Sequence, residues 1–119
     1  MKQLFILLLS LFVFSACEDI FVKDITDKRI DIVAPANGAI VNNKEVTLVW
    51  EELNGATDYH VIIVSPSIAE VLYYACDSVT EDYKLKVSLP NGVYEWSVQA
   101  SNSAHVSLKS SQTFQIAVP

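Results

Sequence analysis

The chain has 119 residues, a formal net charge of −6 and 51% hydrophobic residues. This length favours a single domain. The acidic balance excludes a general nucleic-acid-binding surface, because such surfaces need clustered Lys and Arg to displace counterions. It also argues against adsorption of the chain to anionic lipid through charge alone.

Residues 1–16 have the three parts of a secretory signal peptide. Lys2 supplies the positive start, an apolar run from Leu4 to Phe14 is broken only by Ser10, and small residues follow. This run of eleven residues is shorter than the roughly 20 that a transmembrane helix needs. The pattern therefore predicts a segment that is removed rather than a membrane span.

The next feature is the sequence Phe14-Ser15-Ala16-Cys17, which resembles the lipobox of bacterial lipoproteins. The resemblance implies that the thiol of Cys17 receives a diacylglycerol and that Cys17 becomes the lipidated N-terminus. Two or more acyl chains anchor a protein stably, whereas a single chain holds it only marginally. The alternative is an ordinary secreted protein that is cut after Ala16 and keeps Cys17 as a thiol.

Residues 17–28 are rich in charge, lack Gly and Pro, and show no periodicity. They are therefore predicted to be a tether between lipid and domain. Glu18 and Asp19, directly after Cys17, resemble the acidic signals that send Bacteroidota-type lipoproteins to the outer face of the outer membrane. In enterobacteria an acidic residue at this place tends instead to retain the protein at the inner membrane. We expect a lipid anchor in the cell outer membrane and a domain exposed at the cell surface.

From residue 29 to residue 119, short segments alternate apolar and polar residues with the two-residue period of β-strands. Turn-forming residues separate these segments, and no segment favours a helix beyond a single turn near residues 67–72. The predicted strands are 29–33, 46–50, 59–64, 70–75, 83–89, 94–100 and 113–118. About seven strands in this length predict an all-β, antiparallel immunoglobulin-like sandwich of two facing sheets.

Four runs within this domain carry a resemblance to a known family. They are Ala34 to Gly38, Val46 to Trp50, Gly55 to Val61 and Leu89 to Ala100. In this order they resemble the bacterial form of the fibronectin type III domain. The resemblance implies that the hydroxyl of Tyr94 forms a tyrosine corner and that Trp50 packs against Tyr59 and Trp96. It also implies a role as a spacer or a protein-interaction module.

Residues capable of catalysis or metal binding do not converge in the sequence. His60 and His105 are 45 residues apart and have no partner at metal-ligand spacing. Asp77, Glu81 and Asp82 lack the spaced ligands and the Gly of a calcium loop. No serine lies in a Gly-x-Ser-x-Gly motif. We expect no enzyme activity, metal or cofactor, but two solvated histidines and a solvated acidic loop.

Two adjacent tyrosines, Tyr73 and Tyr74, lie on a predicted edge strand. Adjacent strand residues face opposite sides, so one of them is expected to be exposed. An exposed aromatic side chain can anchor a protein partner or stack on a sugar, which makes this pair the candidate binding site. Cys76 follows, and with Cys17 lipidated it is either a small buried hydrophobe or a reactive or intermolecular thiol.

These features together predict a lipid-anchored, noncatalytic cell-envelope protein that acts as a structural or protein-interaction module. The alternative is a glycan-binding accessory lipoprotein of the cell surface. One feature separates the two functions, because a glycan site of this kind needs a flat platform of two or more exposed aromatic side chains.

Overall fold

Residues 22–119 are described by the computed structural model, and Cys17 with the predicted signal peptide lies outside them. The strands are β1 (Ile32–Ala34), β2 (Ala39–Val41), β3 (Glu45–Trp50), β4 (Asp58–Pro66), β5 (Val71–Thr80), β6 (Lys84–Ser88), β7 (Gly92–Ser101) and β8 (Ser110–Ile116). One sheet has the order β1-β3-β6 and the other β2-β8-β7-β4-β5. The all-β sandwich is confirmed, with eight strands. Residues 22–119 contain no helix long and apolar enough to cross a membrane.

The core lies between the two sheets and is built from alternate residues of the central strands. The predicted inward residues are all buried: Val46, Leu48, Trp50, Tyr59, Val61, Ile63, Tyr94, Trp96, Val98 and Ala100. The Trp50 ring centroid lies 5.7 Å from that of Tyr59 and 6.1 Å from that of Trp96. The predicted aromatic packing is therefore confirmed, and it joins the two sheets.

The tyrosine corner is also present. The hydroxyl of Tyr94 donates a hydrogen bond to the carbonyl oxygen of Pro90 at 2.7 Å. Its ring stacks on Phe114 of β8, with ring centroids 5.5 Å apart. The corner fixes the chain where it enters β7, one of the two strands that flank β4.

The strands depart most from the prediction at β2 and β5, while β1 begins at Ile32 instead of residue 29 and β8 begins at Ser110 instead of residue 113. β2 was not predicted, because three residues are too few for a periodic pattern, and it forms through parallel pairing with β8. The predicted strand 70–75 continues to Thr80, so Asp77 lies within β5 and not in a solvated acidic loop. The reason is tertiary, since residues of β4 supply backbone partners from Tyr59 to Ile63 and override the low strand propensity of Asp and Ser.

The segment before β1 packs on the sandwich. Ile25, within the predicted tether, is fully buried in the core. The side-chain amide of Asn102 donates to the carbonyl oxygen of Lys23 at 2.8 Å, and the amide of Leu108 donates to that of Lys28 at 2.9 Å. Gly55 has a φ of +95° and lies against the Lys23 side chain, where an added Cβ would come within 2.8 Å of Cδ. Residues 22–28 thus cover the end of the sandwich at which β4 begins and β7 ends.

Candidate interaction surface

Strand β5 forms one edge of the five-stranded sheet. It pairs with β4 along one side, and no strand among residues 22–119 pairs with its other side. The register shifts between Ile63 and Val64, which pair with Cys76 and Tyr74, so Ala75 forms a bulge. A second shift next to Pro66 leaves Leu72 without a direct partner, and Leu72 is 83% exposed. The two irregularities determine where the tyrosine side chains point.

Tyr73 lies opposite Ser65 and turns its hydroxyl toward the core side of the sheet. The hydroxyl oxygens of Tyr73 and Tyr94 are 3.3 Å apart. Tyr73 remains 46% exposed, but its polar end is held by the tyrosine corner. The Tyr73 side chain therefore ties β5 to β7.

Tyr74 lies opposite Val64, on the outer face of the five-stranded sheet, and is 67% exposed. It lines a shallow pocket with a volume of about 170 Å³. The other lining residues are Ile62, Val64, Ile68, Val71, Ser97 and Lys109. A volume of this size suits a single side chain, since pockets for whole small molecules measure about 300–1,000 Å³.

One wall of this pocket is the connection between β4 and β5. The backbone amide of Ile68 donates to a carboxylate oxygen of Glu95 on β7 at 2.8 Å. The amide of Glu70 donates to the hydroxyl of Ser67 at 3.2 Å. These bonds hold the Ile68 side chain, which is exposed, beside the outer face of the sheet. The apolar wall of the pocket is thus held by one hydrogen bond to β7 and one within the β4–β5 connection.

One feature of the sequence indicates this pocket, although the alternation of apolar and polar residues does not. Residues Val61 to Val64 are apolar without interruption, whereas a strand with one solvated face alternates. A continuous apolar run indicates a strand covered on both faces. In the structure Ile62 and Val64 line the outer pocket while Val61 and Ile63 fill the core.

The charged groups near β5 are mainly acidic. The carboxylate of Asp77 and Nε2 of His60 are joined by a hydrogen bond, with the two atoms 2.5 Å apart. The side chain of His60 is 41% exposed, and in addition β4 and β5 bring it together with Asp77 on one face. Among residues 22–119 no group of three or more His, Cys, Asp or Glu could hold a metal ion.

Cys76 faces the inner side of β5 opposite Ile63 and is half-buried against the core. Burial, and secondarily the negative charge of Asp77, raises the pKa of its thiol. A raised pKa keeps the sulfur in the unreactive thiol form at neutral pH. This environment favours the small-hydrophobe interpretation of Cys76.

The exposed tyrosines of the described chain do not form a platform. Besides Tyr73 and Tyr74, Tyr83 is exposed, and its ring lies edge-on to Tyr59 with centroids 5.9 Å apart. Within residues 22–119 no aromatic pair joins two of these three residues. The surface around Tyr74 thus offers one aromatic ring, an apolar pocket and aliphatic neighbours.

No protein-family model matches this chain, and no curated protein matches it at a significant level. Solved structures do match. The crystal structure of the domain FN3tt is 22% identical, with a TM-score of 0.54, and the match covers 68% of this chain and 87% of that one. The fn3 domain of the human collagen α-1(XX) chain is 21% identical, with a TM-score of 0.57 and coverages of 74% and 85%.

A third match extends the same result. The fibronectin type III domain from the human KIAA0970 protein is 19% identical, with a TM-score of 0.56, and the match covers 75% of this chain and 73% of that one. Sequence identities this low establish a shared fold and nothing about function. With its sheet order and its tyrosine corner, the described part of the chain has the fibronectin type III fold.

Proposed function

We propose that this chain is a lipid-anchored, noncatalytic protein of the bacterial cell envelope that binds a protein partner through β5. The observation that carries the proposal is the exposed apolar surface at this edge. We name it the β5 surface, and it consists of Ile68, Val71, Leu72, Tyr74 and Val79. Ile68, Val71 and Tyr74 line one pocket, and Leu72 and Val79 are exposed on the same strand. Exposed apolar side chains gathered on one strand of an acidic domain favour a site of association over a purely solvated face.

The anchor half of the proposal rests on the sequence. A charged start, a short apolar run and a Cys after small residues fit a lipoprotein signal. We infer lipidation at Cys17, in the manner of Bacteroidota-type lipoproteins. The acidic pair Glu18-Asp19 supports export to the outer face of the outer membrane. The acidic domain itself supplies no attraction to anionic lipid, so the acyl chains would do the anchoring.

The packing of residues 22–28 limits how far the domain can stand from the lipid. Among residues 22–119, Lys23 is the first with a hydrogen bond to the sandwich, and six Cα-to-Cα steps separate it from Cys17. Six steps span at most about 23 Å. A lipidated Cys17 would therefore hold the loops around Gly55 and Asn102 close to the bilayer. The β4–β5 connection would lie at the opposite, outer end of the domain.

A protein partner fits the β5 surface better than a glycan. Sugars stack on flat aromatic platforms, whereas the rings of Tyr73, Tyr74 and Tyr83 are not paired with one another. A pocket of about 170 Å³ next to Tyr74 accepts one apolar side chain, the kind of anchor that interface hot spots use. Glycan binding by the same surface would lack the second ring.

Site-specific photo-crosslinking in cells that express the full chain tests this function. A photoreactive amino acid replaces Tyr74 on the β5 surface, and a matched control replaces Ile40 on β2, which is equally exposed at the opposite edge of the same sheet. We expect a discrete protein adduct at position 74 and none at position 40. The same adducts at both positions, or none at either, would contradict the proposed surface.

A further inference from the structure

The four edge strands of the described sandwich differ in how well they are protected from pairing. β1 and β2 have three residues each, which is too short to template another strand. β6 has five residues, of which Lys84 and Lys86 carry charge. Short length and lysines are the devices that keep sheet edges from pairing with other chains. The edges formed by β1, β2 and β6 are thus protected from pairing with another strand.

β5 has neither device. It is ten residues long and contains no Lys, Arg or Pro. Its exposed side chains are largely apolar, with Leu72 and Val79 among the most exposed in the domain. The irregularities at Leu72 and Ala75 twist the first half of the edge, and the second half, from Cys76 to Thr80, is regular. Backbone donors and acceptors along this edge have no strand partner in residues 22–119, which is the arrangement that accepts an added strand.

The charges around this edge select the chemistry of the added strand. Residues 67–83 contain Glu70, Asp77, Glu81 and Asp82 and no Lys or Arg. The nearby basic residues are Lys84, at the start of β6, and Lys109, which lines the pocket beside Tyr74. A second copy of the chain is disfavoured, because full-length antiparallel pairing of β5 with itself places Glu70 opposite Glu81 of the other copy, at both ends of the strand. Like charges in directly opposed positions destabilise strand pairing. A basic segment would be attracted at both ends instead.

We infer that β5 binds an extended segment of another protein in which apolar residues alternate with Lys or Arg, and that this segment joins the sheet as a sixth strand next to β5. Backbone hydrogen bonds provide the attachment. Apolar side chains on the outer face of the segment contact Tyr74 and its pocket. The basic residues nearest the two ends of the segment approach Glu70 and Glu81, which flank β5. The inference rests on the proposed function, since it specifies the partner of the same surface.

The test uses the full chain in detergent and synthetic peptides as probes. One ten-residue peptide alternates Val and Lys, and its control alternates Val and Glu. We expect the Lys peptide to bind at least about tenfold more tightly, which corresponds to a modest charge contribution. Hydrogen exchange followed by mass spectrometry should show slower exchange of the amides in Val71–Thr80 when the Lys peptide is bound. The same amides should be unaffected by the Glu peptide.

Substitutions at an exposed position of β5 refine the test without disturbing the core. Leu72→Glu should strengthen binding of the Lys peptide, and Leu72→Lys should weaken it about tenfold. Ile40→Lys on β2 is the matched control and should leave the binding unchanged. Opposite effects of the two Leu72 variants together with an unaffected control support the inference.

Four outcomes would overturn it. The Lys peptide fails to bind at millimolar concentration, both peptides bind equally, or the chain forms a dimer that Leu72→Lys dissociates. Binding that slows exchange elsewhere but not in β5 also excludes strand addition. In each case crosslinking at position 74 in cells remains an independent readout, so a specific adduct there would leave the proposed function standing while strand addition fails.

Discussion

The hydroxyl of Tyr73 on β5 donates a hydrogen bond to the hydroxyl of Tyr94 on β7, 3.3 Å away. The direction follows because Tyr94 has a single hydroxyl hydrogen and directs it to the carbonyl oxygen of Pro90. Burial raises the pKa of Tyr94 well above its usual range. The corner hydroxyl thus stays protonated into alkaline solution, and the edge strand is tied to the tyrosine corner.

Tyr94→Phe should destabilise the domain by about 1–3 kcal/mol, because it removes two part-buried hydrogen bonds, the one to the Pro90 carbonyl and the one from the Tyr73 hydroxyl. Tyr73→Phe removes only the longer, partly exposed bond and should lower the free energy of unfolding by about 0.5 kcal/mol. Urea denaturation of the two variants measures both. Equal stabilities of Tyr94→Phe and the wild type would contradict the corner.

Replacing Trp50 or Trp96 by Ala should lower the free energy of unfolding by about 3–5 kcal/mol, the range for large-to-small changes of buried aromatic residues. Both side chains lie between the sheets and are almost fully buried. Leu72→Ala is the matched control, because its side chain is exposed, and should change the stability by less than about 0.5 kcal/mol. A near-wild-type melting curve for both Trp variants would contradict the sandwich register.

Ile25→Ala should destabilise the domain by about 2–5 kcal/mol, although Ile25 precedes the first strand. Its side chain is fully buried in the core, whereas the neighbouring Val22 is exposed. Val22→Ala therefore serves as the control and should be close to neutral. Thermal unfolding distinguishes the two. If both variants melt like the wild type, residues 22–28 are a solvated tether. The conclusion that their packing limits the distance between the domain and the membrane would then be wrong.

The Cys76 thiol should react slowly with iodoacetamide, and the rate should still be rising above pH 9.0, the ordinary pKa of such a thiol, since burial raises its pKa. A Cys17→Ser chain makes Cys76 the sole cysteine. Asp77→Asn removes the negative charge that opposes the thiolate and should speed alkylation at pH 8. Asp82→Asn is the control. Rapid alkylation at neutral pH that levels off would contradict the buried environment.

Most of the sandwich could be predicted because its central strands alternate cleanly. In β3 and β7 every second residue is apolar, so the positions of Trp50 and Tyr94 followed from a local period. β2 and the end of β5 could not be predicted in this way. β2 pairs with β8, which is distant in the sequence, and the end of β5 pairs with the beginning of the preceding strand β4. In both cases pairing with a neighbouring strand overrides weak local propensity.

The geometry of the candidate site is also not predictable from local sequence patterns. The sequence identified Tyr73 and Tyr74 as a pair on an edge strand, but their different surroundings depend on the Ala75 bulge. A bulge changes which face a side chain occupies and has no marker in this sequence. The burial of Ile25 was equally hidden, because a single apolar residue in a charged segment shows no periodicity.

The most direct test of the account is lipidation and exposure of the full chain in cells. Cells are labelled with a palmitate analogue and then treated with protease while intact, with Cys17→Ser as the control. The account predicts label on the wild-type chain, no label on Cys17→Ser, and loss of the domain from intact cells. An unlabelled wild-type chain, or a domain protected until the envelope is opened, would contradict a surface lipoprotein.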